Sequence, residues 1–485
     1  MKNSKLALAC LALVIIANFS AAENNALLFG GGPNPQNSQF SIESNVIWFD
    51  QVLKESNFDK VITQFGSNKS NPFEISYTEP QQQNRNNLLD LVFNSDTDEQ
   101  TRYRRAYIGS NNQRTMEKKD LVATLNEQVA SLTDNDSLFL TYSGHGGRNQ
   151  GGLNNFLYLW NNTELSVVEM GEAFEQADSN STIRYVLPQC YSGGFNRLAF
   201  TNFNAKQGLK VGALVCGFTA VADDQLSEGC TESINTEDYR DYASYFYAAL
   251  TGSNRNGTPV TESTDIDQDG TVSLSEAHIY AYRYGRSSDI PRSTSEDFLL
   301  ANEHWSERWS SAYSASSDNE FDQTAAILAF DFESQIGTQN FLTETAQKLK
   351  AAQNQADAVH REFKSVSSKM SQARAALLPD LVLRWPQLNN AKTEQYHQTL
   401  SDEKLNINQW LASQESMLTL IQLEKERVEL VNQNIDTMRE LARFQRIQRM
   451  LKLSRLYNRL KNSDNQQWEE YQTLLACEQW VPPIH

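Results

Sequence analysis

Two apolar spacings divide this chain near residue 338. Before that point, short apolar runs bounded by glycine or polar turns alternate with segments whose apolar residues recur every three or four positions. The runs predict strands at Ala26–Gly32, Lys60–Phe65, Ser137–Tyr142, Phe156–Trp160, Thr182–Leu187 and Val211–Cys216, with one more at Thr324–Phe332. The helical spacing predicts helices at Val46–Leu53, Met116–Leu132, Ser166–Gln176, Tyr239–Leu250 and Leu274–Tyr284. Residues 66–115 are polar, rich in Asn and Gln and poorly patterned, so they read as a long loop or insertion. Thr251–Thr264 reads as a polar loop and Ser310–Asp322 as a linker.

Strands alternating with helices imply an α/β fold, a mostly parallel sheet covered on both faces whose ligands sit at the carboxyl ends of the strands. Beyond residue 338 glycine vanishes, and Gln, Leu, Lys, Arg and Glu dominate to about residue 478. Loose heptads, broken near Pro379 and Pro386, predict two or more long helices forming an antiparallel hairpin or coiled coil over 336–485.

The N-terminus changes the setting. Lys2 and Lys5, the apolar stretch Leu6–Ala17 and Ser20-Ala21-Ala22 have the layout of a secretory signal over residues 1–22, which implies a periplasmic or secreted protein. No later segment approaches the ~18 uninterrupted apolar residues of a membrane span. With 42 Lys and Arg against 60 Asp and Glu, the net charge of −18 argues against nucleic acid as a partner.

Two motifs carry chemistry. His145 lies in Thr141-Tyr142-Ser143-Gly144-His145-Gly146-Gly147, and Cys190 in Leu187-Pro188-Gln189-Cys190-Tyr191-Ser192-Gly193-Gly194. Each ends an apolar run and is followed by small residues, which is how a sheet presents a nucleophile and its base. These motifs resemble those of the caspase, legumain, gingipain and metacaspase superfamily of cysteine peptidases, nearest to its bacterial legumain-like branch, over residues 26–300. Caspases proper carry Gln-Ala-Cys-Arg-Gly where this chain reads Pro188-Gln189-Cys190-Tyr191-Ser192-Gly193, so aspartate specificity is not carried over.

The resemblance implies a peptidase domain over 23–335, with oxyanion donors at the N–H groups of Gly146 and Cys190 and an asparagine, Asn34 or Asn37, orienting His145. It also implies a peptide or protein substrate paired along an edge strand, Cys216-Gly217-Phe218. Asp224 is the candidate acid selecting Arg or Lys, whereas a small polar pocket would favour Asn. With Cys190 as the catalytic thiol, Cys216 and Cys230 are expected to form a disulfide and Cys477 to stay unpaired.

Residues 265–276 fit a calcium loop. Asp265, Asp267 and Asp269 supply oxygens, Gly270 the sharp turn, Thr271 a backbone carbonyl, Ser273 a water-bridged position and Glu276 a carboxylate able to bind through both oxygens. The expected role of calcium is structural. Finally, Arg443, Arg446, Arg449, Lys452, Arg455 and Arg459 form a basic face, either solvated or docked on the acidic domain. The sequence thus predicts an exported cysteine endopeptidase whose C-terminal helices make intramolecular or homo-oligomeric contacts. The alternative is a non-catalytic calcium-binding scaffold that recruits partners through its coiled coil.

Overall fold

The structure, a computed structural model, describes residues 22–78, 88–93, 101–149, 151, 153–230, 232–235, 239–303, 319–390, 393–463 and 466–484. Residues 1–21 of the expected signal segment and 310–318 of the expected linker lie outside them.

In chain order the elements are β1 (Asn24–Gly31), α1 (Phe40–Lys54), β2 (Lys60–Phe65), β3 (Ile75–Thr78), α2 (Leu88–Phe93), β4 (Thr101–Arg104), α3 (Lys118–Ala130), β5 (Ser137–Gly144), β6 (Gly146–Gly147), β7 (Phe156–Leu159), β8 (Thr163–Ser166), α4 (Val167–Phe174), β9 (Thr182–Leu187) and β10 (Leu214–Thr219). There follow α5 (Tyr242–Thr251), α6 (Leu274–Tyr284), β11 (Arg292–Ser293), α7 (Thr294–Ala301), α8 (Glu320–Leu328), α9 (Gln339–Arg384), α10 (Glu394–Ala412), α11 (Glu415–Lys461) and α12 (Gln466–Glu478).

Six strands form the main sheet in the order β11-β10-β9-β5-β1-β2, parallel throughout except for β11. Because successive strand residues face opposite ways, Leu27 and Phe29 of β1 join one core while Ala26 and Leu28 join the other. Both faces are therefore covered, which suits the near-continuous apolar runs of a parallel sheet. The fold is mixed α/β, as the spacing predicts, with a helical region at its C-terminal end.

Several expectations need correction. Segment 66–115 is not one loop: β3 and β4 pair antiparallel, and the hairpin is fixed by Glu43, whose buried carboxylate accepts from Arg104 at 2.6 Å and from the Tyr107 and Ile108 amides. Thr324–Phe332 is not a strand. Asn319 caps α8 by accepting from the Phe321 N–H at 2.9 Å, and Glu320 and Asp322 occupy its first turn, where they complement the helix dipole. The strand predicted at Val211–Cys216 is displaced to β10, since Val211 is 94 % exposed. Helix α9 runs through Pro379 to Arg384, so the break comes only at Pro386.

Cysteine pairing also differs. Cys216 of β10 bonds Cys477 of α12, a separation of 261 residues, and Cys190 and Cys230 are free. The expected Cys216–Cys230 bridge is overturned, and so is an unpaired Cys477. Around this bond the chain end is wired into the sheet: Arg184 donates to the Cys477 carbonyl at 3.0 Å and stacks on Trp480, which packs near Phe58 and Phe139. Closing so long a loop contributes about 5 kcal/mol on a chain-entropy model.

The helical region starts where the composition shifts, but it has no separate core at its near end. Phe444, Ile447, Met450 and Leu453 of α11 share one cluster with Tyr185, Tyr282 and Phe298. The basic face is docked. Arg446, 2 % exposed, donates to the carbonyls of Tyr282, Gly285, Ser287 and Asp289, which places a cation at the C-terminus of α6. Arg443 pairs with Asp331 (2.8 Å), Arg449 with Glu296 (2.8 Å) and Lys452 with Glu303 (2.9 Å).

Candidate active site

Strands β5 and β9 are adjacent and parallel, with Thr141 level with Val186. His145 and Cys190 each lie four residues beyond that level, so equal overhangs carry both to the carboxyl end of the sheet. Their loops touch. A Cβ on Gly146 would stand 2.1 Å from the Cys190 carbonyl oxygen, so only glycine allows this approach. Tyr191 turns the chain sharply after the thiol, with φ at 59°.

The imidazole is held from below. Tyr142 donates to the His145 carbonyl at 3.1 Å, and the ring Nε2 lies 3.0 Å from the Asn37 carbonyl and 2.8 Å from Gln39 Oε1. Two oxygen acceptors at Nε2 fix the proton there and leave Nδ1 with its lone pair. Burial lowers the His145 pKa below the ordinary histidine range, against the Asn37 carbonyl, which favours the charged ring. The ring is thus a neutral base to lower pH than a free imidazole. An asparagine does orient the histidine, but through its main chain; the Asn37 and Asn34 side chains bond each other.

Cys190 is half-buried, and its sulfur is surrounded by Ser227: the Ser227 N–H lies at 3.3 Å, and its hydroxyl and carbonyl oxygens each at 3.7 Å. The Cys230 sulfur lies 3.6 Å from His145 Nδ1. The segment 227–230 therefore lies against both the Cys190 sulfur and the His145 ring. It is tied down by Glu228, whose N–H donates to Asp289 at 2.8 Å and whose carboxylate receives the Ser288 N–H at 2.8 Å and the Arg439 guanidinium of α11. Asn155, fully buried, donates to the Tyr191 carbonyl at 2.7 Å and the Asp223 carbonyl at 2.8 Å, clamping the thiol turn to the next loop.

Of the expected substrate residues, Cys216 and Phe218 are fully buried, and Gly217 is buried against the Tyr185 ring. They belong to the core, not to a docking edge, because β11 pairs with Phe218 and Thr219 and α12 is bonded to Cys216. Asp224 is exposed; the acid held in place is its neighbour Asp223, which pairs with Arg197 at 2.6 Å. Cys230 was expected in a disulfide and not beside His145, and Gln39 and Asn155 were missed by sequence reasoning. The only trace of them was the polar character of their turns.

In the 265–276 loop, Asp265, Asp267 and Asp269 bring carboxylate oxygens within 4.8 Å of one another, a spacing that fits a hard dication. Gly270 takes the left-handed turn, with φ at 92°. Glu276 does not join them. Its Oε1 accepts from the Ile266 and Asp267 amides and its Oε2 from Ser273, forming the capping box that starts α6. Thr271 donates its N–H and hydroxyl to Asp269, at 2.8 and 2.7 Å.

No helix of the described residues is long and apolar enough to cross a membrane. No protein-family model matches the chain, and no curated protein does. Among solved structures, the chain is similar to protein GSU0716 from Geobacter sulfurreducens, with a TM-score of 0.33 and 13 % identity over 56 % of this chain and 92 % of that one, too slight a likeness to carry any conclusion about activity.

Proposed function

We propose that this protein is an exported cysteine endopeptidase of caspase-like fold, with Cys190 as nucleophile and His145 as general base. The observation that supports this most is the equal overhang of His145 and Cys190 beyond adjacent parallel strands, with Gly146 seated against the Cys190 carbonyl. His145 Nδ1 takes the thiol proton, the thiolate attacks the peptide carbonyl carbon, and the oxyanion collapses to a thioester. The departing amine receives the proton from Nδ1, and water then hydrolyses the thioester. The N–H groups of Gly146 and Cys190 are the proposed oxyanion donors. Before a peptide enters, segment 227–230 has to leave the sulfur. Asp224 remains the proposed selector of Arg or Lys.

Calcium is proposed at Asp265, Asp267 and Asp269 with the Thr271 carbonyl, and Glu276 joins only by leaving its capping box. The metal stiffens the loop before α6. Titration of the full chain with calcium, read by melting temperature, should show a rise that Asp267→Asn abolishes.

The peptidase reading is tested with a peptide carrying a thiol-reactive electrophile, applied to residues 23–485 with Cys230→Ser, which lack Cys10 and keep Cys190 as the single free thiol. Modification of Cys190 that disappears in His145→Ala supports the enzyme. A Cys190 that reacts equally with and without His145 removes it.

A further inference from the structure

A cleft of about 660 Å³ separates the loop after the nucleophile from the C-terminal helices, within the ordinary size range of ligand sites. Gln225 forms one wall. Its carbonyl accepts the Tyr191 N–H at 2.7 Å, and Ser227, which touches the Cys190 sulfur, is two residues away, at most about 7 Å of chain. The opposite wall is basic: Arg449, Lys452 and Arg455 of α11, with Arg292 of β11, all line the cleft.

This sign is the reverse of the chain's net charge of −18. These cations pair with carboxylates on and just after α7. Arg292 reaches Asp297 at 3.1 Å, Arg449 reaches Glu296 at 2.8 Å, and Lys452 and Arg455 share Glu303 at 2.9 and 3.9 Å. Among the described residues the carboxylates seen against these four side chains are Asp297, Glu296 and Glu303. Among the described residues, the buried Nε–H groups of Arg292 and Arg449 find no acceptor. Leu300 and Leu342 add an apolar lining suited to methylene groups.

We propose that this cleft binds the carboxylate of an acidic side chain, Glu or Asp, in the peptide that reaches Cys190. The assignment of that peptide as substrate rests on the peptidase reading; the cleft itself does not. A cationic concavity repels other cations and concentrates a carboxylate locally, where converging guanidinium and ammonium donors hold it. Because α11 supplies three of the four cations, the helical region becomes part of substrate recognition.

The test uses the full chain with Cys190→Ala and two fluorescent octapeptides, one of alternating Glu and Gly and one of alternating Gln and Gly, read by anisotropy at low and high salt. The expected result is about tenfold tighter binding of the Glu peptide, the scale of one hydrogen bond to a charged group, weakening with salt. Lys452→Gln should erase most of the preference, Lys452→Arg should restore it, and Glu303→Gln, which removes a competing carboxylate, should increase it. Equal binding of the two peptides, or a Glu preference untouched by Lys452→Gln in a protein with unchanged circular dichroism, overturns the proposal. Preferential binding without labelling of Cys190 keeps the cleft and removes the peptidase. Labelling without preferential binding does the reverse.

Discussion

Between residues 441 and 460, α11 packs into the sheet's own core through Phe444, Ile447, Met450 and Leu453, whereas between 415 and 436 it meets other helices, α9, α10 and α2. Apolar spacing is similar in the two halves, but surroundings are not. The near half has its cations paired or bonded to carbonyls. The far half belongs to a narrow arm that leaves Leu383 at 81 %, Leu405 at 69 % and Leu418 at 58 % exposure, because so few layers of helix cannot cover every leucine. Periodicity thus reports which residues pair along a helix; what covers the helix is decided by distant chain.

The sharpest way to break this contrast is to cut the chain in two different places. Residues 23–335 alone should show no cooperative unfolding transition in urea, since Phe298 and Tyr282 lose their cover and β10 loses its covalent partner. Replacing 360–436 by a short turn should leave the melting temperature nearly unchanged, although Leu89 and Val92 of α2 then lose their packing. If the short fragment folds and the arm deletion does not, the two halves have been ranked the wrong way round.

Arg446→Ala should cost about 3–5 kcal/mol, because it strands the carbonyls of Tyr282, Gly285, Ser287 and Asp289 in a buried site. A loss below 1 kcal/mol in urea titration would mean that water replaces the guanidinium there.

Acidity separates the halves next. Burial pushes Glu478 up to about 7, against hydrogen bonds from Ser295 and Thr294, and pushes Asp289 up to about 7. Both fold with more protons than the unfolded chain holds, so their contribution is greatest below their unfolded pKa values and is lost as pH rises through about 7. Melting temperature should fall from pH 5 to pH 8. Glu478→Gln should flatten that fall by an amount on the order of 3 kcal/mol, and an unchanged slope would count against the burial. Glu296 has the opposite sign: burial opposes it, but Arg449 and His278 hold it down to about 2, so its contribution is lost as pH drops from 4.5 toward 2.

The smallest effect concerns Arg439, the point where α11 reaches the segment over the thiol. Arg439→Gln removes a partly exposed ion pair to Glu228, worth under about 1 kcal/mol of stability. It should nevertheless raise the rate of Cys190 alkylation a few-fold by loosening 227–230. A rate that stays constant would show that Asp289 and Ser288 hold the segment unaided.

Legibility followed the range of the forces involved. Strands β1, β2, β5 and β9 are self-contained apolar runs, and the glycines after His145 and Cys190 announce close approach, so the sheet and the placement of these two residues at its carboxyl end were readable. The run Thr324–Phe332 was too short for its period to choose between strand and helix, and the Asn319 cap decided it. Gln39, Asn155 and Ser227 act through contacts between loops far apart in sequence, which no local spacing records. The choice of Cys477 by Cys216 is the same kind of fact, set by where α12 lands.

That bridge makes residues 216–477 a covalent ring. A single protease nick anywhere within it, including in the arm or beside the 227–230 segment, yields two polypeptides that migrate as one until a reductant is added. Maturation by one cut here rearranges the molecule and sheds nothing.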